Sequence, residues 1–204
     1  MKRFFTTVLL MAAISACTEK ADDNTPVISK QDFKIENGHF TPEIMHQLGK
    51  VSDPQISPDG KQILYGVTYT SIELNKSNRQ LFVMDINGEN QKQLTNNAKS
   101  ISNARWIDNG RRIAYLQGGQ IWTMNADDSE AIQISNIENG IGEFKLSQDG
   151  SMILFTSEVK ADVKPQDVYP DIDKSSARTY TDLKYRHWDH FVENIPHTFY
   201  ATFG

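Results

Sequence analysis

Ser57-Pro58-Asp59-Gly60-Lys61-Gln62-Ile63-Leu64-Tyr65 returns twice in altered form along this 204-residue chain. The later copies are Ile107-Asp108-Asn109-Gly110-Arg111-Arg112-Ile113-Ala114-Tyr115 and Ser147-Gln148-Asp149-Gly150-Ser151-Met152-Ile153-Leu154-Phe155. Each has a polar turn ending in glycine, two variable residues, and a short apolar run closed by an aromatic ring. A recurrence every 40 to 50 residues or so points to a propeller, a solenoid or another array. What lies between the copies decides among them.

The first unit, residues 51–96, reads as four short strands at 53–57, 61–67, 80–85 and 91–95. Pro58 presets φ for the second position of a type I turn, and Gly60 accepts the positive φ that such a hairpin needs at its end. Asn87-Gly88 does the same between the third and fourth strands, while 69–78 reads as a longer polar connection without strand pattern. The second unit, 100–136, keeps the order with strands at 104–107, 111–116, 120–125 and 131–135 and a shorter central loop, Gln117-Gly118-Gly119. Leu81-Phe82-Val83-Met84-Asp85 aligns with Ile121-Trp122-Thr123-Met124-Asn125, and Gln93-Leu94-Thr95 with Gln133-Ile134-Ser135. Four strands per unit is the signature of a β-propeller blade, whereas helical repeats would show a period of about 3.6 residues. Tyr65, Phe82, Trp106, Tyr115, Trp122 and Phe155 recur in register and are expected in the core between blades.

The third unit, 141–204, opens with strands at 142–147 and 152–157 and then departs from the pattern. An insertion, 158–195, precedes His197-Thr198-Phe199-Tyr200-Ala201-Thr202-Phe203, which reads as the displaced third strand. The fold class is therefore all-β, a partial β-propeller of about two and a half four-stranded blades. A ring usually takes about four to eight. The chain is thus expected to be the amino-terminal piece of a longer polypeptide.

Residues 1–16 have a basic start, Lys2 and Arg3, and an apolar run too short for the roughly 20 residues of a spanning helix, as in a secretory signal. Ile14-Ser15-Ala16-Cys17 resembles the bacterial lipobox, so Cys17 is the expected lipidation site, with an ordinary signal and an incidental cysteine as the alternative. Residues 17–38 are polar and suit a flexible tether, and 39–50 carry a short helix with Thr41 as N-cap, Pro42 at its first position and Gly49 just past its end. This places the protein in a bacterial cell envelope, held to a membrane by its lipid on the periplasmic face or at the outer membrane. Cys17 is also the sole cysteine, which excludes an intramolecular disulfide or a cysteine metal cluster.

With 38% hydrophobic and 23% charged residues the composition is that of an ordinary globular domain. The formal charge is -5, and losing Lys2 and Arg3 with the leader leaves 19 basic against 26 acidic residues, or -7. A net negative surface argues against nucleic acid as partner.

Val51-Ser52-Asp53-Pro54-Gln55-Ile56-Ser57-Pro58-Asp59-Gly60-Lys61, the blades after it, and Tyr185-Arg186-His187-Trp188-Asp189 before a His-initiated aromatic strand resemble the N-terminal propeller of bacterial prolyl oligopeptidase-family serine peptidases, of the acylaminoacyl-peptidase or dipeptidyl-peptidase type. The resemblance covers roughly residues 40 to 204. It implies a propeller that caps an α/β-hydrolase domain with a Ser-Asp-His triad and restricts access to short peptides. The nucleophile-elbow pattern G-x-S-x-G is not found in these residues, so no catalytic residue is assigned, and no cofactor is expected. The rival reading is a TolB-like periplasmic propeller that binds protein partners.

Arg186, Trp188 and Asp189, in an insertion rich in aromatics and mixed charge, are the candidate substrate-facing residues. The alternative is that Arg186 and Asp189 form a structural ion pair while Trp188 packs under the blade. His187, Asp189 and His190 fall short of the three or four placed ligands of a metal site in their spacing, and no metal is expected. Asp167, Asp171 and Asp173 lack the regular D-x-D-x-D-G order of a calcium loop and read as a solvated acidic loop.

Overall fold

Two of the three repeat turns close in the same way because each carries the same serine and aspartate. In the computed structural model, which describes residues 26–160, 165–172, 174 and 194–203, the Ser57 hydroxyl donates to Asp59 Oδ1 at 2.7 Å. That oxygen also accepts from the Lys61 amide at 3.1 Å, and Ser57 Oγ accepts from the Gln62 amide at 2.9 Å. Ser147, Asp149, Ser151 and Met152 reproduce the three bonds at 2.6, 3.1 and 2.9 Å. Gly60 and Gly150 close these turns at φ 74° and 72°, a region that favours glycine. In the middle copy Ile107 replaces the serine. There the chain makes a 3-10 turn, Asp108–Gly110, with Asp108 and Asn109 at φ 51° and 56°, which short polar side chains tolerate best.

Helix α1 (Pro42–Gln47) precedes three antiparallel sheets. The first has the order β1 (Lys50–Ile56), β2 (Gln62–Ser71), β3 (Lys76–Asp85), β4 (Lys92–Gln93). The second has the order β5 (Ile101–Ile107), β6 (Arg112–Gln117), β7 (Gln120–Asn125), β8 (Ile132–Gln133). The third comprises β9 (Phe144–Leu146), β10 (Met152–Lys160) and β11 (Asn194–Thr202), with β10 in the middle. Short helix α2 (Pro165–Val168) and a 3-10 turn, Pro170–Ile172, follow β10. Successive four-stranded meanders with few helices make a partial propeller, and β11 pairs with β10 as its third strand.

Three expectations change. Residues 69–78 are not an irregular connection: β2 and β3 pair from Gln62↔Asp85 through to Ser71↔Lys76, and only four residues turn the corner. Thr70 and Ser77 pair across that ribbon, Oγ1 to Oγ at 2.9 Å, and Ser71 and Asn78 are buried on it, so polar residues fill strand positions that periodicity in hydrophobicity does not reveal. Likewise Val159 and Lys160 continue β10 and Asn194 and Ile195 open β11, which narrows the insertion. The fourth strands are shorter than expected because the serine or threonine after each takes over the ladder: the Leu81 amide donates to Thr95 Oγ1 at 2.9 Å and the Ile121 amide to Ser135 Oγ at 2.8 Å. The acidic loop also folds locally, with Asp167 paired to Lys160.

Strand alternation gives each blade two unlike faces. The cross-strand aromatic pairs Tyr65↔Phe82, Tyr115↔Trp122 and Phe155↔Phe199 occupy one register position in the three blades. Tyr115 and Trp122 pack with Leu64, Leu81 and Val83 of the preceding blade, and Phe155 packs with Ala114, Leu116 and Ile121 of its predecessor. Aromatic faces thus look back and aliphatic faces look forward. Tyr65, Phe82, Trp106, Tyr115, Trp122 and Phe155 are accordingly buried or half-buried, Tyr115 at 2% exposure, whereas Phe199 on the third blade is 39% exposed.

Thr41 Oγ1 caps α1 by accepting from the Ile44 amide at 3.4 Å. Gly49 is required for space and not for φ: a Cβ there would stand 2.8 Å from the Tyr69 ring and 2.9 Å from Val67.

The Ser147 hydroxyl, then the amide and hydroxyl of Ser151, hold the Asp149 carboxyl down to about 2. Because that lies below the ordinary value of 3.8, these bonds act in full above 3.8 and are lost as pH falls toward 2. Ser147→Ala is expected to move the Asp149 midpoint back toward 3.8 in a carboxyl NMR titration, leaving Asp59 in the equivalent turn unchanged.

Candidate functional site

Cys17, Arg186, Trp188 and Asp189 all lie outside the described residues, as do His187 and His190. The described residues do give the base from which 161–193 departs. Strand polarity puts the turns at 57–60, 107–110 and 147–150 on one rim of the array. The central hairpins and the links between blades share the opposite rim, as does the entry from α1 into β1. Residues 161–193 leave from this second rim, at the end of the β10–β11 ribbon. Phe155 stacks on Phe199 midway along that ribbon with ring centroids 5.6 Å apart, and at its outer end Asn194 Nδ2 donates to Glu158 Oε2 at 3.1 Å. A recess of about 310 Å³ beside the ribbon is lined by Ile137, Asn139, Phe155, Val159, Lys160 and Phe199.

Charge gathers along the first strands. Residues Ser52 to Gln55 of β1 and Ser102 to Arg105 of β5 each break register, and Asp53 and Asn103 sit there at φ 50° and 51°. Such bulges re-aim a side chain. Asp53 Oδ2 accepts from Arg105 Nη1 of the second blade at 2.9 Å and lies 3.8 Å from Arg79 Nη2. Arg79 also donates from Nη1 to the Ile101 carbonyl at 2.7 Å and from Nε to Ser52 Oγ at 3.1 Å. Its guanidinium lies against Gly66, where a Cβ would fall 2.2 Å away. Burial pushes the Arg79 pKa down, Asp53 opposes the shift, and Arg105 adds to it. Sequence reasoning missed this junction. Its one visible signal is that Asp53 and Asn103 stand at the same distance before their turn glycines.

The backward face of the first blade is half covered. Phe33, Leu48, Val51, Ile63, Tyr65 and Phe82 line a largely apolar groove of about 620 Å³ between that face and the amino-terminal arm. It suits an apolar surface and has no clustered charge. Among the described residues no group of three or more His, Cys, Asp or Glu could hold a metal ion.

Residues 57–149 match the family described as the dipeptidyl peptidase IV (DPP IV) N-terminal region. The stacked blades are therefore those of a peptidase-type N-terminal propeller. The chain is 43% identical over 167 residues to dipeptidyl-peptidase 5 of Porphyromonas gingivalis, covering 80% of this chain and 24% of that protein. It is 37% identical over 171 residues to dipeptidyl-peptidase 5 of Porphyromonas endodontalis, covering 82% and 25%. The acylaminoacyl peptidase of Pyrococcus horikoshii superposes with a TM-score of 0.56 at 16% identity, over 78% of this chain and 23% of that one, and so shares the fold. The chain is homologous to the propeller region of dipeptidyl-peptidase 5 and spans about a quarter of the length of those relatives.

Gly66→Ala should displace the Arg79 guanidinium and lose its bonds, at a cost of about 2 kcal/mol. In an Arg79→Ala background the same substitution should cost under about 0.5 kcal/mol. Urea unfolding of the four proteins of this cycle checks both, since equal costs in the two backgrounds would place the strain elsewhere.

Proposed function

We propose that this chain is the substrate-gating propeller part of an envelope-located serine peptidase that hydrolyses short peptides, and that the hydrolysis itself takes place in a region outside these residues. The observation that carries the reading is 43% identity to a dipeptidyl-peptidase 5 over 80% of the chain. The β10–β11 ribbon, with its aromatic stack and its recess, supports placing the gate on the rim from which 161–193 leave. Arg186, Trp188 and Asp189 would order the substrate entrance or hold the peptide backbone. Cys17 would carry the lipid that holds the protein in the envelope, after cleavage of the leader. Two or more acyl chains give stable anchoring because each buried CH₂ contributes about 0.8 kcal/mol.

The full-length protein is expected to release dipeptides from fluorogenic dipeptidyl amides and to lose that activity on fluorophosphonate labelling. Trp188→Ala and Asp189→Asn should each lower kcat/KM by about tenfold with an unchanged unfolding midpoint. Loss of folding without a change in the kcat/KM of intact enzyme would make these residues structural. Protein capture without hydrolysis would favour the partner-binding propeller.

Cys17→Ala should move the protein from the detergent phase to the aqueous phase in a Triton X-114 partition of the producing bacterium. Metabolic labelling with an alkyne fatty acid should mark only the Cys17 form. Label on the Cys17→Ala protein would overturn the lipid assignment.

A further inference from the structure

We infer that Glu143 is the acidic half of a latch that fastens the third blade to a further four-stranded unit of the full-length protein. That unit's first strand is assigned an arginine or lysine five residues before its turn glycine, the spacing from Arg105 to Gly110. The inference rests on the proposed reading that the propeller continues beyond the residues described.

Alignment on Gly60, Gly110 and Gly150 puts Asp53, Asn103 and Glu143 at one position, seven residues before each glycine. The first two reach into the following blade. Asp53 Oδ2 accepts from Arg105 Nη1 at 2.9 Å, and Asn103 Nδ2 donates to the Phe144 carbonyl at 2.7 Å. The partner follows from the side chain: a carboxylate meets a guanidinium, and an amide N–H meets a carbonyl. Glu143 is again a carboxylate. Thr156 fixes its backbone, with the Glu143 amide donating to Thr156 Oγ1 at 3.2 Å and the Thr156 amide donating to the Glu143 carbonyl at 3.0 Å. Its side chain is exposed, and no described residue pairs with it.

The face around Glu143 is that of a covered blade without its cover. Leu64 and Ala114 occupy one forward-facing position and are 0% exposed, whereas Leu154 at that position in the third blade is 48% exposed. Val83 and Thr123 occupy a second such position at 6% and 1%, against 78% for Tyr200. A shallow recess of about 110 Å³ between Glu143, Lys145, Leu154 and Thr198 opens on the same face. The occupant that fits is the backward, aromatic face of another blade with a cation on its inner strand. The chain spans about a quarter of its peptidase relatives, which leaves ample length for such a unit.

The test uses the full-length protein. Its sequence past Gly204 is read for the next turn glycine, and the residue five positions before it is exchanged for glutamate, alone and together with Glu143→Arg. Glu143→Arg alone is expected to speed limited proteolysis at the junction after the third blade by about tenfold. The double exchange is expected to return the rate to within about twofold. Absence of a further blade, a neutral or acidic residue at the assigned position, or a double exchange that fails to restore the rate would each overturn the latch. A concentration-dependent dimer dissolved by Glu143→Arg would assign the face to a second copy and overturn it too. Dipeptide release by the unmodified protein is measured alongside, and its absence would remove the peptidase reading while leaving the proteolysis result standing.

Discussion

Neither face of a propeller blade can stand in water, and that constraint organises this chain. A four-stranded antiparallel sheet of short strands has little stability alone. Here its apolar side chains divide between two faces, so each must be covered by another sheet. Leu64, Leu81 and Val83 from the first blade meet Ile113, Tyr115 and Met124 from the second, and the second blade repeats the arrangement with Ala114, Leu116 and Ile121 against the third. Each fully buried aliphatic side chain contributes about 1.5–3 kcal/mol. Stability therefore resides between sheets more than within them, and every blade depends on its neighbours.

Packing alone would let blades slide, and buried amides set the spacing. Gln80 Nε2 donates to the Asn97 carbonyl at 2.8 Å, and the Asn97 amide returns to Gln80 Oε1 at 3.4 Å. Gln120 makes the same clasp on Ile137, at 2.8 and 2.9 Å. In both blades a glutamine of the third strand, Gln80 within β3 and Gln120 at the start of β7, satisfies the peptide of the link leaving the fourth. A buried backbone group without a partner would be costly. Each link is thereby held at one distance from its sheet, which fixes where the next first strand begins. Asn78 strengthens the first clasp by donating to the Asn97 and Ala98 carbonyls at 3.0 and 2.8 Å.

What was legible in the sequence is what repeats in chemistry. The Ser-x-Asp-Gly turns, the aromatic register and the paired Gln-Leu-Thr and Gln-Ile-Ser segments announced blades, and Phe199 on β11 completes the aromatic series opposite Phe155. The polar ribbon at the end of β2 and β3 was hidden because its buried side is itself polar, with Ser71, Asn78 and Gln80 at 8%, 2% and 1% exposure, so no apolar alternation marks it. The Asp53, Arg79 and Arg105 junction was hidden for another reason. Its residues are 26 positions apart at each step, and only Gly66, emptied to admit the Arg79 guanidinium, betrays in space what adjacency does not. Of the candidate site, the aromatics and mixed charge of the insertion pointed to Arg186, Trp188 and Asp189, which the described residues do not include.

The hairpins show why a long segment departs from the third blade and not the second. In the second blade Gly118 and Gly119 make the whole loop at φ 59° and 72°, and the Ile141 amide of the next link donates to the Gly119 carbonyl at 2.7 Å. Gly119 lies so close to Gly140 that even a Cβ would stand 3.4 Å from its Cα. That tip is locked beneath its neighbour, and an inserted residue would displace the link that starts the third blade. In the first blade the β2–β3 ribbon runs four residues further on each strand before it turns. In the third, β10 and β11 likewise extend past β9 as a paired ribbon, and Asn139 steadies its base by donating to the Glu158 carbonyl at 3.0 Å. Chain added at such a tip costs little, since loop-closure entropy grows only slowly with length. On the opposite rim the turn of the second blade is the crowded one: Gly110 packs over Pro58, with a Cβ position 3.2 Å from the proline ring, whereas Gly60 and Gly150 in the equivalent turns face open space.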